Sequence, residues 1–351
     1  MSEHHYRRGT VTLKHALQIV VVAASAFGLF FGPYSVVMAQ ETVKIFSLQK
    51  PDRDLNKELP EINDSLVYGL SWRFTWKTIE PQEGRYDWKP IDRAIELTGN
   101  AGKKVMLRVV PGRNTPDWAY QAGVKAFDFR NTDLAHPETS PESMRMAVPW
   151  DEVYLAKWEN FIRAFGRRYN GDPHIYSIQM AGGGHIGEMN LPKAHEKWRK
   201  IGYSDAKLIA AWKRIIDAYR KAFPDVPTNL DINEPLGRRS DVLEPVVSYV
   251  LATYPGKVYL QQNGLRADFP PEDRIRRTLR GASGKTRVGY QMVGGKGFLD
   301  AKVGDRKEAF RNAIEDHASY IEVYASDVRD PAQRKALEFV SGGGAKPGAM
   351  R

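Results

Sequence analysis

A chain of 351 residues, 42% hydrophobic and 11% aromatic, has material for several small domains or for one of barrel size. The absence of cysteine excludes a disulfide scaffold, thiolate metal sites and cysteine nucleophiles. The eight histidines form no H-x-x-x-H or H-E-x-x-H pair, and the net charge of +10 is spread along the chain, as on a solvated surface rather than a nucleic-acid face.

The chain opens on a segment that stands apart from any fold. Arg7, Arg8 and Lys14 precede an apolar run from Ala16 to Phe31, Gly32-Pro33 breaks it, and Val37-Met38-Ala39 leads into polar Gln40-Glu41. This charged, apolar, small-residue order is that of a secretory signal, with cleavage expected after Ala39. The alternative is an uncleaved N-terminal anchor, although the run is shorter than the about 20 residues of a spanning helix. Either way, residues 40–340 are expected in the periplasm or outside the cell, touching membrane only through that segment.

From there strands and helices alternate. Eight β-rich runs are predicted at Val43–Leu48, Leu66–Phe74, Lys104–Val110, Ile175–Met180, Thr228–Ile232, Lys257–Gln262, Arg287–Met292 and Tyr320–Tyr324. Tyr154, Leu155, Trp158, Phe161, Ile162 and Phe165 form one stripe of a helix that Asp151 caps. A second stripe runs from Leu208 to Phe223 behind a Ser204 cap. Weaker helical patterns cover Ile91–Gly99, Asp241–Thr253, Glu272–Leu279, Lys307–His317 and Ala332–Val340. Eight strands interleaved with helices predict a single (β/α)8 TIM barrel over residues 40–340, with an open doubly wound sheet as the competitor. The Gly-rich stretch 341–351 is expected to be an unstructured tail. Pro111–Trp150 is long for a βα connection and is expected over the C-terminal face, where such barrels carry their sites.

The chemistry is therefore sought where strands end. Gly182-Gly183-Gly184-His185-Ile186-Gly187 matches G-x-G-x-x-G, but a dinucleotide site needs a helix to open there, and Pro192 forbids one. The glycines are read instead as a sharp turn presenting His185 and Glu188 to the barrel mouth. Glu188, Asp231, Glu234 and Glu322 are the carboxylates at strand ends, with Asp327 beyond the last. Glu322 sits inside an otherwise apolar strand, so it must be paired, with Arg73 or Arg108, or functional. For Glu234, a capping role before Pro235 competes with chemistry. Trp72, Trp76, Trp118 and Trp150 are candidates to stack on sugar rings, and Arg73, Arg108, Arg113, Asn114, Asn263 and Gln291 to bind hydroxyls.

These residues carry a resemblance. Trp72-Arg73-Phe74-Thr75-Trp76-Lys77-Thr78-Ile79-Glu80-Pro81-Gln82-Glu83-Gly84-Arg85-Tyr86-Asp87-Trp88 resembles the W-x-x-I-E-P-x-E-G-x-Y-D-W signature of clan A glycoside hydrolases. Val105–Val110 with Thr115-Pro116-Asp117-Trp118 is similar to the next strand and loop of their β-galactosidase-like members, and Tyr154–Ile175 to the approach to their fourth strand. The resemblance implies a barrel with a Glu at strand four as acid/base and another at strand seven as nucleophile. This chain departs at both places. Strand four ends Gln179-Met180-Ala181-Gly182, and strand seven carries Gln291. A second register, which leaves Val43–Leu48 out of the barrel, turns Asn233-Glu234-Pro235 into strand four and Glu322 into strand seven.

The expected function is an exported glycoside hydrolase acting on an oligo- or polysaccharide, with Glu188 as acid, Glu322 as nucleophile or base, and Glu234 and Asp231 in reserve. A carboxyl separation of about 5–5.5 Å would mean retention and about 6.5–9.5 Å inversion. No metal, organic cofactor or nucleic-acid partner is expected. Two rivals belong to other classes: a non-catalytic carbohydrate-binding barrel of the cell envelope, and a polyanion-binding envelope protein whose binding would fall steeply with salt.

Overall fold

The computed structural model describes residues 42–130, 143–237 and 239–342. The predicted leader, residues 1–39, lies outside them. So does residue 343 onward of the predicted tail, whereas Ser341 still belongs to the last helix.

Eight parallel strands close into a barrel: β1 (Lys44–Leu48), β2 (Val67–Thr75), β3 (Lys104–Val110), β4 (Ile175–Met180), β5 (Thr228–Asp231), β6 (Val258–Leu265), β7 (Val288–Met292) and β8 (Tyr320–Tyr324). Neighbours in space are neighbours in sequence, and β1 pairs with both β2 and β8. That double pairing overturns the register without Val43–Leu48, and closure overturns the open sheet. Strand four is Ile175–Met180, so Asn233-Glu234-Pro235 follows strand five. These strands are buried on both faces, one in the barrel and one under helices, and the burial includes polar members such as Asn229 and Gln261.

Seven helices wrap the barrel: α1 (Lys89–Asn100), α2 (Glu152–Tyr169), α3 (Asp205–Ala222), α4 (Leu243–Thr253), α5 (Arg274–Ala282), α6 (Arg306–Glu315) and α7 (Arg334–Ser341). The Asp151 and Ser204 side chains accept from the Tyr154 and Lys207 backbone N–H groups, at 3.0 and 3.3 Å, and so start α2 and α3. Between β1 and β2 the described chain has only a short 3₁₀ turn, Pro60–Asn63. The stretch Pro111–Trp150, read from sequence as a loop, has structure of its own. It holds a short helix (Asp117–Gln121) and an antiparallel ribbon of Ala126–Arg130 against Ser143–Ala147. The predicted continuous loop is corrected accordingly: alternating Phe127 and Phe129 bury one ribbon face, with Phe127 stacked on Trp198 at 3.5 Å.

Inside the barrel the floor is apolar. Phe46, Met106, Tyr176, Tyr259 and Tyr320 form a separate cluster there. Glycine at 289 makes room for it, because a Cβ would lie 2.3 Å from the Tyr320 ring. Above this plug the inward side chains turn polar.

Candidate active site

Strand parity builds the site. On β8, Tyr320, Glu322 and Tyr324 share the inward face, and on β2 Ser71 and Arg73 do. Glu322 is fully buried, with its carboxylate taken by the Ser71 hydroxyl, by Gln261 Nε2 at 2.5 Å, and by Arg108 Nη2 at 3.7 Å. Gln261 extends the network. Its Nε2 also donates to Asn263 Oδ1 at 2.7 Å, and its Oε1 accepts from Asn229 at 3.1 Å, which in turn accepts from Ser177 Oγ at 3.0 Å.

Arg108 is the hub. Its Nη1 donates to Glu188 Oε1 at 2.6 Å and its Nη2 to Gln291 Oε1 at 3.2 Å. Asn263 Nδ2 donates to the same Glu188 oxygen at 2.7 Å. Two acidic residues 134 positions apart in the chain thus flank one guanidinium. Glu188 arrives from the glycine-rich turn after β4, which crosses the mouth without opening a helix before His195. A Cβ at Gly184 would lie 2.0 Å from the Glu188 carbonyl oxygen, so only glycine lets this turn fold back on itself.

Asp231, at the end of β5, is the third carboxyl. It is 1% exposed, and neither of its oxygens has a hydrogen-bond partner. Burial, then the negative charges of Glu188 and Glu322, push its pKa well above the ordinary aspartate range. Arg108 and the Asn263 backbone N–H oppose that rise, the N–H from outside hydrogen-bonding geometry. Asp231 therefore holds its proton to higher pH than an ordinary aspartate. Arg73 also faces the mouth. Its Nε donates to the Gln49 carbonyl at 2.8 Å, and burial, followed by the neighbouring Arg108 charge, lowers its pKa against the pull of Tyr324, Glu322 and Glu188.

The predicted site residues fall into separate groups. Arg73, Arg108, Glu188, Asp231, Asn263, Gln291 and Glu322 converge. Arg113, Asn114 and Trp118 line a different cleft of about 800 Å³ with Lys77, Tyr120 and Arg145. His185 is not presented to the carboxyls. Its Nδ1 meets the Asn190 carbonyl at 3.0 Å and its ring packs against Phe129. Trp72 and Trp76 offer no face to a sugar and are corrected to core. Flanked by inward Ser71 and Arg73, Trp72 points outward, donating to Thr98 on α1 at 3.0 Å, and Trp76 stacks among Trp118, Trp158 and Phe161. Trp150, half-buried, packs on Trp198 and Tyr203.

Glu234 is likewise corrected. Arg274 holds it at 2.5 Å and the Ser240 N–H and hydroxyl at 3.0 and 3.1 Å, a clamp on the turn that has no contact with the Arg108 network. Asp327 pairs with Arg306 at 3.2 Å and accepts from the Lys296 N–H at 2.7 Å, a structural role. Sequence reasoning missed Ser71, Gln261 and Tyr324. Each lies two positions from a named inward residue, so alternation alone would have found them.

The profile of glycoside hydrolase family 42, described as β-galactosidase, matches residues 68–220. The β-galactosidase BgaH of Haloferax lucentense is 28% identical over 114 residues, covering 32% of this chain and 17% of that protein. The β-galactosidase BbgII of Bifidobacterium bifidum is 30% identical over 112 residues, covering 29% and 14%. Over residues 68–220 the barrel resembles the clan A glycoside hydrolases. It spans less than a fifth of the length of these two curated relatives. The fold of the barrel is shared with the catalytic domain of β-amylase from Paenibacillus polymyxa, at a TM-score of 0.57 and 11% identity over 88% of this chain and 96% of that one. Endo-glycoceramidase II from Rhodococcus sp. aligns at a TM-score of 0.51 and 14% identity, over 81% and 74%. Among the described residues of this barrel, no group of His, Asp and Glu is set to hold a metal, and no helix is long and apolar enough to cross a membrane.

Proposed function

We propose that this barrel is an exported glycoside hydrolase in which carboxyls grouped about Arg108 cleave a glycosidic bond. The observation that carries the reading is Asp231, a buried carboxyl with both oxygens unengaged and a pKa raised by burial, beside the ion-paired Glu188. A glycosidase needs one carboxyl that holds its proton near neutral pH for the leaving oxygen and a second that is ionised. Asp231, with its raised pKa, suits the acid, and Glu188, paired with Arg108, is its partner carboxyl. This reassigns the acid from Glu188. Glu322 lies lower and is fully enclosed, so it acts as a positioning residue that fixes Arg108 together with Gln261 and Ser71. Export is supported by the charged, apolar, small-residue order of the first 39 residues.

The test is a screen of the full chain against bacterial and plant glycans, repeated with D231N and E188Q. Each substitution is expected to lower turnover about 10²–10⁴-fold with binding retained. Turnover unchanged in both would refute the reading. N-terminal sequencing of the exported chain is expected to start at Gln40.

One observation favours a second reading, a non-catalytic carbohydrate-binding barrel. Where the resemblance implies the two glutamates, β4 carries Gln179 and β7 carries Gln291, and the latter is bound to Arg108. Glycan binding without turnover in the unsubstituted chain would select it.

A further inference from the structure

Arg108 pairs with two carboxylates of the mouth, Glu188 at 2.6 Å and Glu322 at 3.7 Å. Arg73, opposite it on the neighbouring strand, has none. β2 and β3 set Arg73 and Arg108 directly across from each other. Among the described residues, Arg73 forms no ion pair, and its only side-chain hydrogen bond runs from Nε to a backbone carbonyl, so both Nη groups are uncommitted. The side chain is part-buried at the open end of the barrel, within electrostatic reach of Tyr324, Glu322 and Glu188. A buried guanidinium is normally matched, because a charge taken out of water without a partner is costly. Arg73 is matched only at a distance: with Arg108 it balances Glu188 and Glu322, but it forms a direct ion pair with neither. Its free edge is a planar two-donor fork, the shape that fits a carboxylate bidentately.

We propose that the barrel mouth recognises an anionic sugar, a pyranose ring carrying a carboxylate, with Arg73 receiving that carboxylate. The inference rests on the reading of the mouth as a carbohydrate site and adds the class of sugar. Tyr324, half-buried at the end of β8 with Phe298 at 5.5 Å, supplies an aromatic wall beside the fork. The formal charges of Arg73, Arg108, Glu188 and Glu322 sum to zero, and burial disfavours a negative charge on Asp231, so an incoming carboxylate meets little net repulsion in the mouth. The net charge of +10 adds a long-range attraction for acidic glycans.

The experiment is calorimetric titration of the full chain with uronic-acid oligosaccharides, their neutral counterparts and sulfated oligosaccharides of equal length, at low and at moderate salt. Uronic-acid oligomers are expected to bind at least tenfold more tightly than neutral ones. R73Q should abolish that preference and R73K restore only part of it, since lysine keeps the charge without the fork. K335Q, which removes one charge from the outside of α7, should change nothing. Thermal melts separate loss of fold from loss of binding. Equal affinity for neutral and acidic oligomers, or a preference that survives R73Q in a folded protein, overturns the proposal. A stronger preference for sulfated oligomers overturns the carboxylate assignment. Arg73-dependent binding of uronic-acid oligomers without hydrolysis would sink the hydrolase reading and leave this inference standing.

Discussion

The two ends of the barrel interior are built from the same eight strands and differ in almost every other respect. At the floor, Phe46, Met106, Tyr176, Tyr259 and Tyr320 interlock, with Phe46 and Tyr176 ring centroids 4.9 Å apart. At the mouth, Arg108, Glu188, Asp231, Gln291 and Glu322 are nearly as enclosed, yet all are polar or charged, and Arg108 ties Glu188, Gln291 and Glu322 together. The contrast teaches a division of labour. The floor holds the strands in register by dispersion and burial, which frees the opposite end to keep costly groups in place for chemistry.

Four substitutions break or sharpen that contrast. R108Q should have the largest effect, because it leaves Glu188 and Glu322 buried without their counter-charge. A loss of about 3–5 kcal/mol in chemical denaturation is expected, and a loss below about 1 kcal/mol would show that the mouth is wetter than its geometry suggests. Y320A at the floor should cost a similar or slightly smaller amount, about 3–5 kcal/mol, through the cavity it opens. Hydrolysis by the remaining folded fraction should be preserved.

D231N tests the raised pKa of Asp231 through pH. A folded-state pKa raised above the unfolded value means that the native state holds the proton longer. Stability should then be greatest below the ordinary aspartate range and fall as pH rises toward the folded pKa. The asparagine variant should flatten that slope in denaturation midpoints measured from pH 4 to pH 8, and an unchanged slope would mean that Asp231 ionises normally. E234Q should be mildest, costing about 1–2 kcal/mol through the Arg274 clamp while turnover stays within twofold. A hundredfold loss of turnover would return Glu234 to the site.

Much of this was legible in the chain. The eight barrel strands and the seven helices that wrap them fall where apolar runs and helical stripes predict them, because a barrel strand buried on both faces and a helix buried on one leave different periods in the sequence. Glu322 was legible for the same reason, as a charge with no local excuse inside a buried strand, and its expected pairing with Arg108 is present.

The tryptophans misled because chemical suitability was weighed before parity. Trp72 lies between Ser71 and Arg73, so once those face inward it cannot. The signature that carried the family resemblance is itself structural. Glu80 accepts from Trp76 Nε1 at 2.7 Å and from the Gly84 N–H at 2.8 Å, while its carbonyl accepts from Trp118 Nε1 at 2.9 Å. It is a clasp between two loops, which makes it a marker of the fold rather than of the reaction. The raised pKa of Asp231 was not legible at all, since it depends on three elements meeting around Arg108.

The seam of the barrel joins its first and last strands, with Ile45 beside Ile321 across 276 positions of chain. During synthesis that seam cannot form until nearly every residue has emerged, so the cylinder stays unzipped for almost the whole of translation. An unzipped chain is what a secretory channel can thread, and the order in which the ribosome delivers the two halves of the seam would keep it in that state.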